Sequence, residues 1–233
     1  MGRAEPVTSA AALGLEAFDQ FCRGGSISAA HSGEAMRDAT IHLKTLLDAH
    51  QPADAEEARS LAEMRRLLPR LEQPFSRHQP EAHFTASALV VDVDAGKIAL
   101  LNHAKLGRWL QPGGHAEPED GGFMHVTALR EAREETGCEL RLYDSTPTLL
   151  DVDVHLIPAR GDEAHHHLDL RFLMVAEDPQ RLTLNADEST AISWFSFEEA
   201  IALVDDEALR RLIRKGWRAT CFKASTVSGP LNP

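Results

Sequence analysis

Three glutamates in the middle of the chain have a spacing that suits metal chemistry. Glu131, Glu134 and Glu135 lie in the segment REAREETG, which begins at Arg130. If this segment is helical, Glu131 lies three and four residues from the other two, so all three face the same side. Carboxylates placed together repel one another and raise each other's pKa. A bound divalent cation removes that penalty, and carboxylate oxygens suit the hard ions Mg²⁺ and Mn²⁺.

The residues around the glutamates can hold them in place. Arg130 lies one turn before Glu134 and can orient its carboxylate. Gly137 stands where a helix end favours a positive φ, and Gly113-Gly114 lets a backbone loop approach whatever the helix binds. The neighbouring apolar stripe predicts packing on a sheet and consists of Ala128, Leu129, Ala132 and Thr136.

The stretch Gly114–Cys138 resembles the Nudix box, the signature of a hydrolase superfamily. That box is Gly, five residues, Glu, seven residues, then Arg-Glu-apolar-any-Glu-Glu-any-Gly-apolar. Here Gly114 begins it and the last nine positions match throughout. Asp120 replaces the first Glu, and nine residues, not seven, separate it from Arg130, which lengthens the loop at Gly121-Gly122. The alternative is a solvated helix with local ion pairs.

The resemblance implies a fold, a reaction and a metal site. The fold is α/β: a Nudix-type α/β/α sandwich with a mixed sheet, in which the box forms a loop–helix–loop. The reaction is metal-dependent hydrolysis of a diphosphate linkage in a nucleoside diphosphate derivative, with Mg²⁺ or Mn²⁺ as cofactor. The expected metal ligands are Glu131, Glu134, Glu135 and the Gly113 carbonyl, and the expected catalytic residues are Glu134, Glu131 and Arg130. The general base is one of these glutamates or a loop carboxylate, for which Glu163 and Glu188 are candidates.

Candidates for substrate contact lie on both sides of the box in sequence. Arg108 and Trp109 combine a cation with an aromatic ring, which can hold a phosphate and stack on a base; the alternative is that Trp109 belongs to the core. His115 follows the two glycines. The expected set of substrate-binding residues is His115, Arg108, Trp109, His167 and Glu188.

Histidines and aspartates alternate along two further predicted strands. Asp151, Asp153 and His155 share one strand face, and His165, His167, Asp169 and Arg171 share a face of the next. If these strands form a hairpin turned at 158–162, all seven side chains line one face. That face suits a second metal site or a polar wall for the substrate. The alternative is a solvated hairpin face with cross-strand ion pairs.

Composition narrows the class of partner. The chain of 233 residues has a net charge of −12, and so lacks the basic surface that nucleic acids and anionic membranes require. A phosphorylated, nucleotide-derived small molecule remains a suitable partner if a metal supplies positive charge. No apolar run approaches the ~20 residues of a membrane span. Three cysteines without framework spacing, and no signal-peptide pattern, predict a reduced, cytoplasmic protein.

The periodicity changes along the chain. Residues 1–72 have helical spacing and predict a helical extension of about three helices; 73–80 form a linker, 81–217 the Nudix hydrolase domain, and 218–233 a loose C-terminal tail. The extension could cover the substrate pocket, form a homodimer interface, or support the sheet, and we favour the last.

Two rival interpretations concern the reaction. A non-hydrolytic Nudix-fold nucleotide-binding or regulatory module tends to lose box carboxylates, whereas this box keeps all three. A Nudix-fold isomerase acting on an allylic diphosphate needs a cysteine at the pocket, and Cys138 is poorly placed for that. The substrate itself stays open among dinucleotides, nucleotide sugars, ADP-ribose, nucleoside triphosphates and capped RNA.

Overall fold

A computed structural model of the protein describes residues 32–159 and 163–227. In these ranges the helices are α1 (Ser32–Ala49), α2 (Ala55–Leu67), α3 (Met124–Thr136), α4 (Phe197–Leu203) and α5 (Glu207–Val227). The strands are β1 (Ala82–Asp92), β2 (Lys97–His103), β3 (Arg108–Leu110), β4 (Gly113–His115), β5 (Leu140–Leu142), β6 (Asp151–Ile157), β7 (His165–Ala176) and β8 (Ser189–Ser196). Short 3₁₀ helices span Leu68–Arg70, Pro118–Asp120 and Pro179–Arg181. Residues 1–31, the first part of the predicted helical extension, lie outside the described residues.

One mixed sheet is organised around the parallel pair β1 and β7, which stay in register over ten residue pairs from Ala82–His166 to Val91–Val175. β4 pairs with β1 beyond the β1–β2 hairpin, and β5 and β6 pair antiparallel with β7. β3 and β8 flank β2. β1 is apolar at most positions because both of its faces are covered.

Each face of the sheet has its own core. Even-numbered residues of β1, such as Phe84 and Ala86, pack with α3. Odd-numbered residues near the end of β1, Leu89 and Val91, pack with α4 and α5. The predicted α/β class, a mixed sheet between helices with further helices preceding it, is confirmed.

The N-terminal helices share the core of the sheet. Leu43 and Leu47 of α1 and Leu61 and Met64 of α2 are buried in the same cluster as the apolar stripe of α3. A Cβ at Gly122 would lie 3.0 Å from the Ala39 side chain, so α1 packs closely on the loop before α3. This packing is that of a helical support for the sheet.

Two predicted helix ends are wrong. The box pattern predicts a helix that begins at Asp120 or at a glycine after it, but α3 begins at Met124. Gly121 and Gly122 have φ values of 61° and 79°, in the left-handed region that a right-handed helix excludes. The last helix was expected to end at Trp217, with a loose tail from 218; α5 instead continues to Val227.

None of the described helices combines the length and hydropathy needed to cross a membrane.

Candidate active site

The two glycines of β4 bring the backbone against the carboxylates of α3. The Gly113 amide donates a hydrogen bond to the Glu135 carboxylate at 2.8 Å. At Gly114 a Cβ would lie 2.5 Å from a Glu131 carboxylate oxygen. Only glycine leaves room for that carboxylate, which explains the Gly-Gly pair.

Arg130 links the parts of this site. Its guanidinium donates two hydrogen bonds to Asp120, at 2.9 and 3.0 Å, and one to the His115 carbonyl at 2.8 Å. Its remaining nitrogen lies 3.1 Å from Glu131 and 3.2 Å from Glu134. The predicted orientation of Glu134 by Arg130 therefore has a geometric basis.

Asp120, which occupies the first Glu position of the box, is fully buried. Besides Arg130, its carboxylate accepts hydrogen bonds from the Thr127 hydroxyl and the Glu117 amide, each at 2.9 Å. Through these contacts Asp120 holds Arg130 in place, a role that was not expected from the sequence.

Glu188 joins the carboxylates from the start of β8. Its side chain lies within hydrogen-bond reach of Glu135 and its charge acts on Glu131. Burial raises the pKa of Glu135 to about 8, helped by Glu188 and Glu131 and opposed by the Gly113 amide. Burial also raises the pKa of Glu131, against the nearby Arg130. The cluster thus carries the like-charge penalty that a cation relieves, and its donors are oxygens, so it fits a hard ion such as Mg²⁺ or Mn²⁺.

Glu134 differs from the other two box glutamates. Its side chain is 55% exposed, and it reaches the cluster through Arg130. The three predicted carboxylates are therefore on one side of α3, with Glu135 buried, Glu131 half-buried and Glu134 at the solvent edge.

Alanine at each glycine of β4 tests this geometry. In Gly114→Ala the new methyl group meets only the end of the Glu131 side chain, so we expect little loss of stability but about 10–100-fold weaker activation by Mg²⁺. In Gly113→Ala it meets the backbone of Ala86 and Ser87 at 2.7 Å, and we expect a loss of about 1–3 kcal/mol. Urea unfolding and Mg²⁺ titration of activity separate the two; equal effects on stability would contradict the assignment.

The raised pKa of Glu135 predicts a pH-dependent stability of the metal-free protein. The folded state holds the proton up to about pH 8, whereas the unfolded chain releases it near 4.5. Stability should therefore fall as pH rises through this window, by up to about 5 kcal/mol. Glu135→Gln stays neutral and should lack this decline. Thermal unfolding in chelator from pH 5 to 9 checks this, and parallel curves for the two proteins would refute it.

His115 and His167 lie on the side of β4 that faces away from the carboxylates of α3. Because successive side chains alternate, His115 faces away from Glu131 and meets His167, with 3.3 Å between the two Nε2 atoms. Burial lowers the pKa of His115 to about 4 and that of His167 to about 2, with neighbouring histidines contributing. Both rings are therefore neutral near pH 7.

The predicted hairpin face is assembled as expected. Asp151 pairs with Arg171, Asp153 with Asp169 and His155 with His167. This part of the hairpin face is not solvated, because Asp151, Asp169 and Arg171 are buried. Arg171 contacts all three aspartates of this face at 2.8–3.3 Å.

This ion network extends into helices on two sides. Arg211 of α5 binds Asp151 at 2.8 Å. Lys215 of α5 forms an ion pair with Glu57 of α2, which is fully buried and also bonded to His50 at 2.7 Å. The aspartates of the hairpin are thus engaged by Arg171 and Arg211.

Arg108 and Trp109 lie on β3, near the end of β2. Trp109 packs edge-on against Phe195 with 5.0 Å between ring centroids and borders the second core. Arg108 is exposed and lies opposite His103 in the β2–β3 strand pair. Their proposed contact with the substrate stays a prediction.

His83 is a further polar residue beside these histidines, and it was not among the residues expected at the site. It lies at the start of β1, opposite His167, and is buried. The signal was present: His83, Thr85 and Ser87 occupy alternate positions of an otherwise apolar strand. Thr85 and Ser87 both donate hydrogen bonds to Asp169, so this face of β1 is polar from His83 to Ser87.

The fold and this site together define an α/β protein with a carboxylate cluster suited to a divalent cation. A family model described as NUDIX domain matches residues 82–215, more than half of the chain. The chain therefore belongs to the Nudix family, and the resemblance carried by Gly114–Cys138 is confirmed.

Individual relatives are more distant. A protein of Lactococcus lactis subsp. cremoris named probable DHNTP pyrophosphohydrolase is 29% identical over 101 residues, which cover 43% of this chain and 58% of that protein. The chain thus matches less than two thirds of that relative's length. Solved structures that resemble it include a C. elegans Ap4A hydrolase binary complex, with 22% identity, coverage of 61% and 98%, and a TM-score of 0.47. Another is the E. coli dihydroneopterin triphosphate pyrophosphohydrolase, with 17% identity, coverage of 58% and 95%, and a TM-score of 0.46.

Proposed function

We propose that this protein is a Nudix pyrophosphohydrolase that uses Mg²⁺ or Mn²⁺ to cleave a diphosphate linkage in a nucleotide-derived small molecule, by attack of water on phosphorus. The observation that carries the proposal is the carboxylate cluster beside Gly113-Gly114, in which Glu131 and Glu135 contact the glycines, Glu188 acts on both, and Glu134 lies at the solvent edge. Their mutual repulsion has no structural benefit without a cation.

The chain's own residues have distinct tasks in this proposal. Glu131, Glu134, Glu135 and the Gly113 carbonyl hold the cation, which when bound neutralises the diphosphate and lowers the pKa of water. Arg130, fixed by Asp120, keeps the carboxylates of Glu131 and Glu134 in place.

The attacking water needs a proton acceptor. Of the two loop carboxylates named as candidates, Glu188 reaches Glu135, whereas the backbone carbonyl of Glu163 contacts His165 on the other side of the sheet. Glu188 is exposed and can meet a water molecule at the edge of the cluster. We therefore assign the base to Glu188 in preference to Glu163.

The family match and the relative named for DHNTP pyrophosphohydrolysis guide the choice of substrates. We would measure phosphate-containing products from nucleoside diphosphate derivatives, nucleoside triphosphates, dinucleotides and DHNTP, with Mg²⁺, with Mn²⁺ and with chelator. Metal-dependent cleavage of one compound supports the proposal and names its class. If no compound is cleaved but one still raises the Tm, the binding-module interpretation is favoured.

The isomerase interpretation has no support at the site. Cys138 is buried just after α3, and burial raises the pKa of its thiol. A buried, protonated thiol is a poor catalyst of proton transfer to an allylic diphosphate.

A further inference from the structure

Three histidines converge on the sheet face opposite the carboxylates. His83 of β1 and His165 and His167 of β7 each offer a ring nitrogen, and these nitrogens all lie within 4.8 Å of one another. The three ring centroids are 4.8–5.3 Å apart. His83 and His167 are directly paired across the parallel strands, so the sheet itself fixes their separation.

His83 is the least expected member of the cluster. Its side chain is 1% exposed, and neither ring nitrogen makes a well-aligned hydrogen bond with the described residues, although the Gln79 backbone carbonyl is close enough to act on the ring. A buried polar group without a partner is destabilising, typically by about 1–3 kcal/mol. A ligand on the cluster would satisfy it.

The surroundings of His165 and His167 fit ligation. The Nδ1 atom of His165 lies 2.9 Å from the Glu163 carbonyl, which fixes the proton on that nitrogen and leaves Nε2 available. The Nε2 atom of His115 lies 3.3 Å from that of His167. Two ligands bonded at about 2.0–2.1 Å in a tetrahedral zinc site are separated by about 3.3 Å. His115 thus lies at ligand spacing from His167, although it is outside the group of three whose ligand atoms all lie within 4.8 Å of one another.

Nearby charge does not oppose a cation strongly. Arg77 acts on His83 and His115, but its guanidinium is paired with the Glu117 carboxylate at 2.8 Å. On the other side, Asp153 bonds His155, whose ring lies 5.5 Å from that of His167. The nearest cation is therefore already paired, and an acidic group lies behind the cluster.

We propose that His83, His165 and His167, with His115 or a water as fourth ligand, form a second metal site that selects a transition ion of the zinc class. Imidazole nitrogens prefer Zn²⁺ or Co²⁺, whereas the oxygen cluster on α3 suits Mg²⁺. The two sites thus differ in ligand chemistry and lie on opposite faces of β4. An ion here would join β1 to β7 where the polar face of the sheet begins.

Cobalt distinguishes the two sites because four-coordinate Co²⁺ absorbs visible light far more strongly than six-coordinate Co²⁺. The full-length protein, treated with chelator and then supplied with excess Mg²⁺ to fill the oxygen site, is titrated with Co²⁺. We expect an intense visible band that saturates near one equivalent and is displaced by Zn²⁺. Zn²⁺ should also raise the Tm by several degrees.

Three variants assign the ligands. His167→Ala should lose the band, and so should His165→Ala, whose half-buried position makes misfolding less of a concern. His166→Ala is the matched control, because His166 lies on the same strand but is exposed and opposite Ala82; it should keep the band. A weak six-coordinate spectrum in the native protein, or an intense band that survives in His165→Ala and His167→Ala, would overturn the proposal. Neither result would bear on hydrolysis at the oxygen cluster.

Discussion

Glu134→Gln should lower metal-dependent kcat by about 100-fold or more while leaving the fold intact. A 100-fold loss corresponds to about 2.7 kcal/mol of transition-state stabilisation. Glutamine keeps the size of the side chain but removes the charge through which Glu134 acts on a cation. Because the side chain is 55% exposed, its replacement removes no core packing. The measurement is kcat against Mg²⁺ concentration, together with the Tm in chelator.

Glu139→Gln is the matched control for this experiment. Glu139 lies just past the end of α3, has a side chain 57% exposed, and forms only a long ion pair with Arg133 at 3.5 Å. The same chemical change there should leave kcat within about twofold, since surface ion pairs contribute little. Full activity of Glu134→Gln would remove Glu134 from the metal site.

Arg130→Ala should be strongly destabilising as well as inactive. Asp120 is fully buried and Arg130 supplies two of its four hydrogen bonds. Removing the Arg130 guanidinium leaves the buried Asp120 carboxylate without its positive partner, which costs about 3–5 kcal/mol of folding stability. Urea unfolding at pH 7 measures the loss, and activity should fall because Glu131 and Glu134 lose their common partner.

A double-mutant cycle identifies the source of that cost. If the penalty is the isolated Asp120 charge, Asp120→Asn combined with Arg130→Ala should be less destabilising than the sum of the single changes. Additive losses would mean that Arg130 stabilises the fold through its packing and the His115 carbonyl instead. Asp120→Asn alone leaves Arg130 paired with Glu131 and Glu134. Its loss of stability should therefore be smaller than that of Arg130→Ala alone.

The spacing of residues within single helices and strands was enough to predict which side chains share a face at the site. The spacing of Glu131, Glu134 and Glu135 depends only on helix geometry, and the shared face of β6 and β7 depends only on strand alternation. Both are properties of a few consecutive residues. The start of α3 was missed because it depends on the φ angles of Gly121 and Gly122, and glycine at these positions was compatible with either a helix or a turn.

Which of these side chains are buried was harder to predict than which of them share a strand face. Asp151 and Arg171 resemble the solvated face of any antiparallel hairpin, and they become internal because α5 contacts β6 and β1 pairs with β7. His83 was missed for the same reason, since its partners lie more than eighty residues away in β7. The length of α5 beyond Trp217 likewise depends on contacts such as the bond from the Tyr143 hydroxyl to the Ala219 carbonyl.

The ion pair between Glu57 and Lys215 changes how the N-terminal helices should be regarded. It joins α2 to α5 across a separation of 158 residues, and Arg211 connects the same pair of helices to Asp151 in the sheet. Detaching α2 would remove the buried Glu57 carboxylate and leave Asp151 as the buried counter-charge of both Lys215 and Arg211. We therefore expect the segment that matches the family model to be less stable without the preceding helices. A substitution at Glu57 should then lower the stability of the C-terminal helix as well as that of α2.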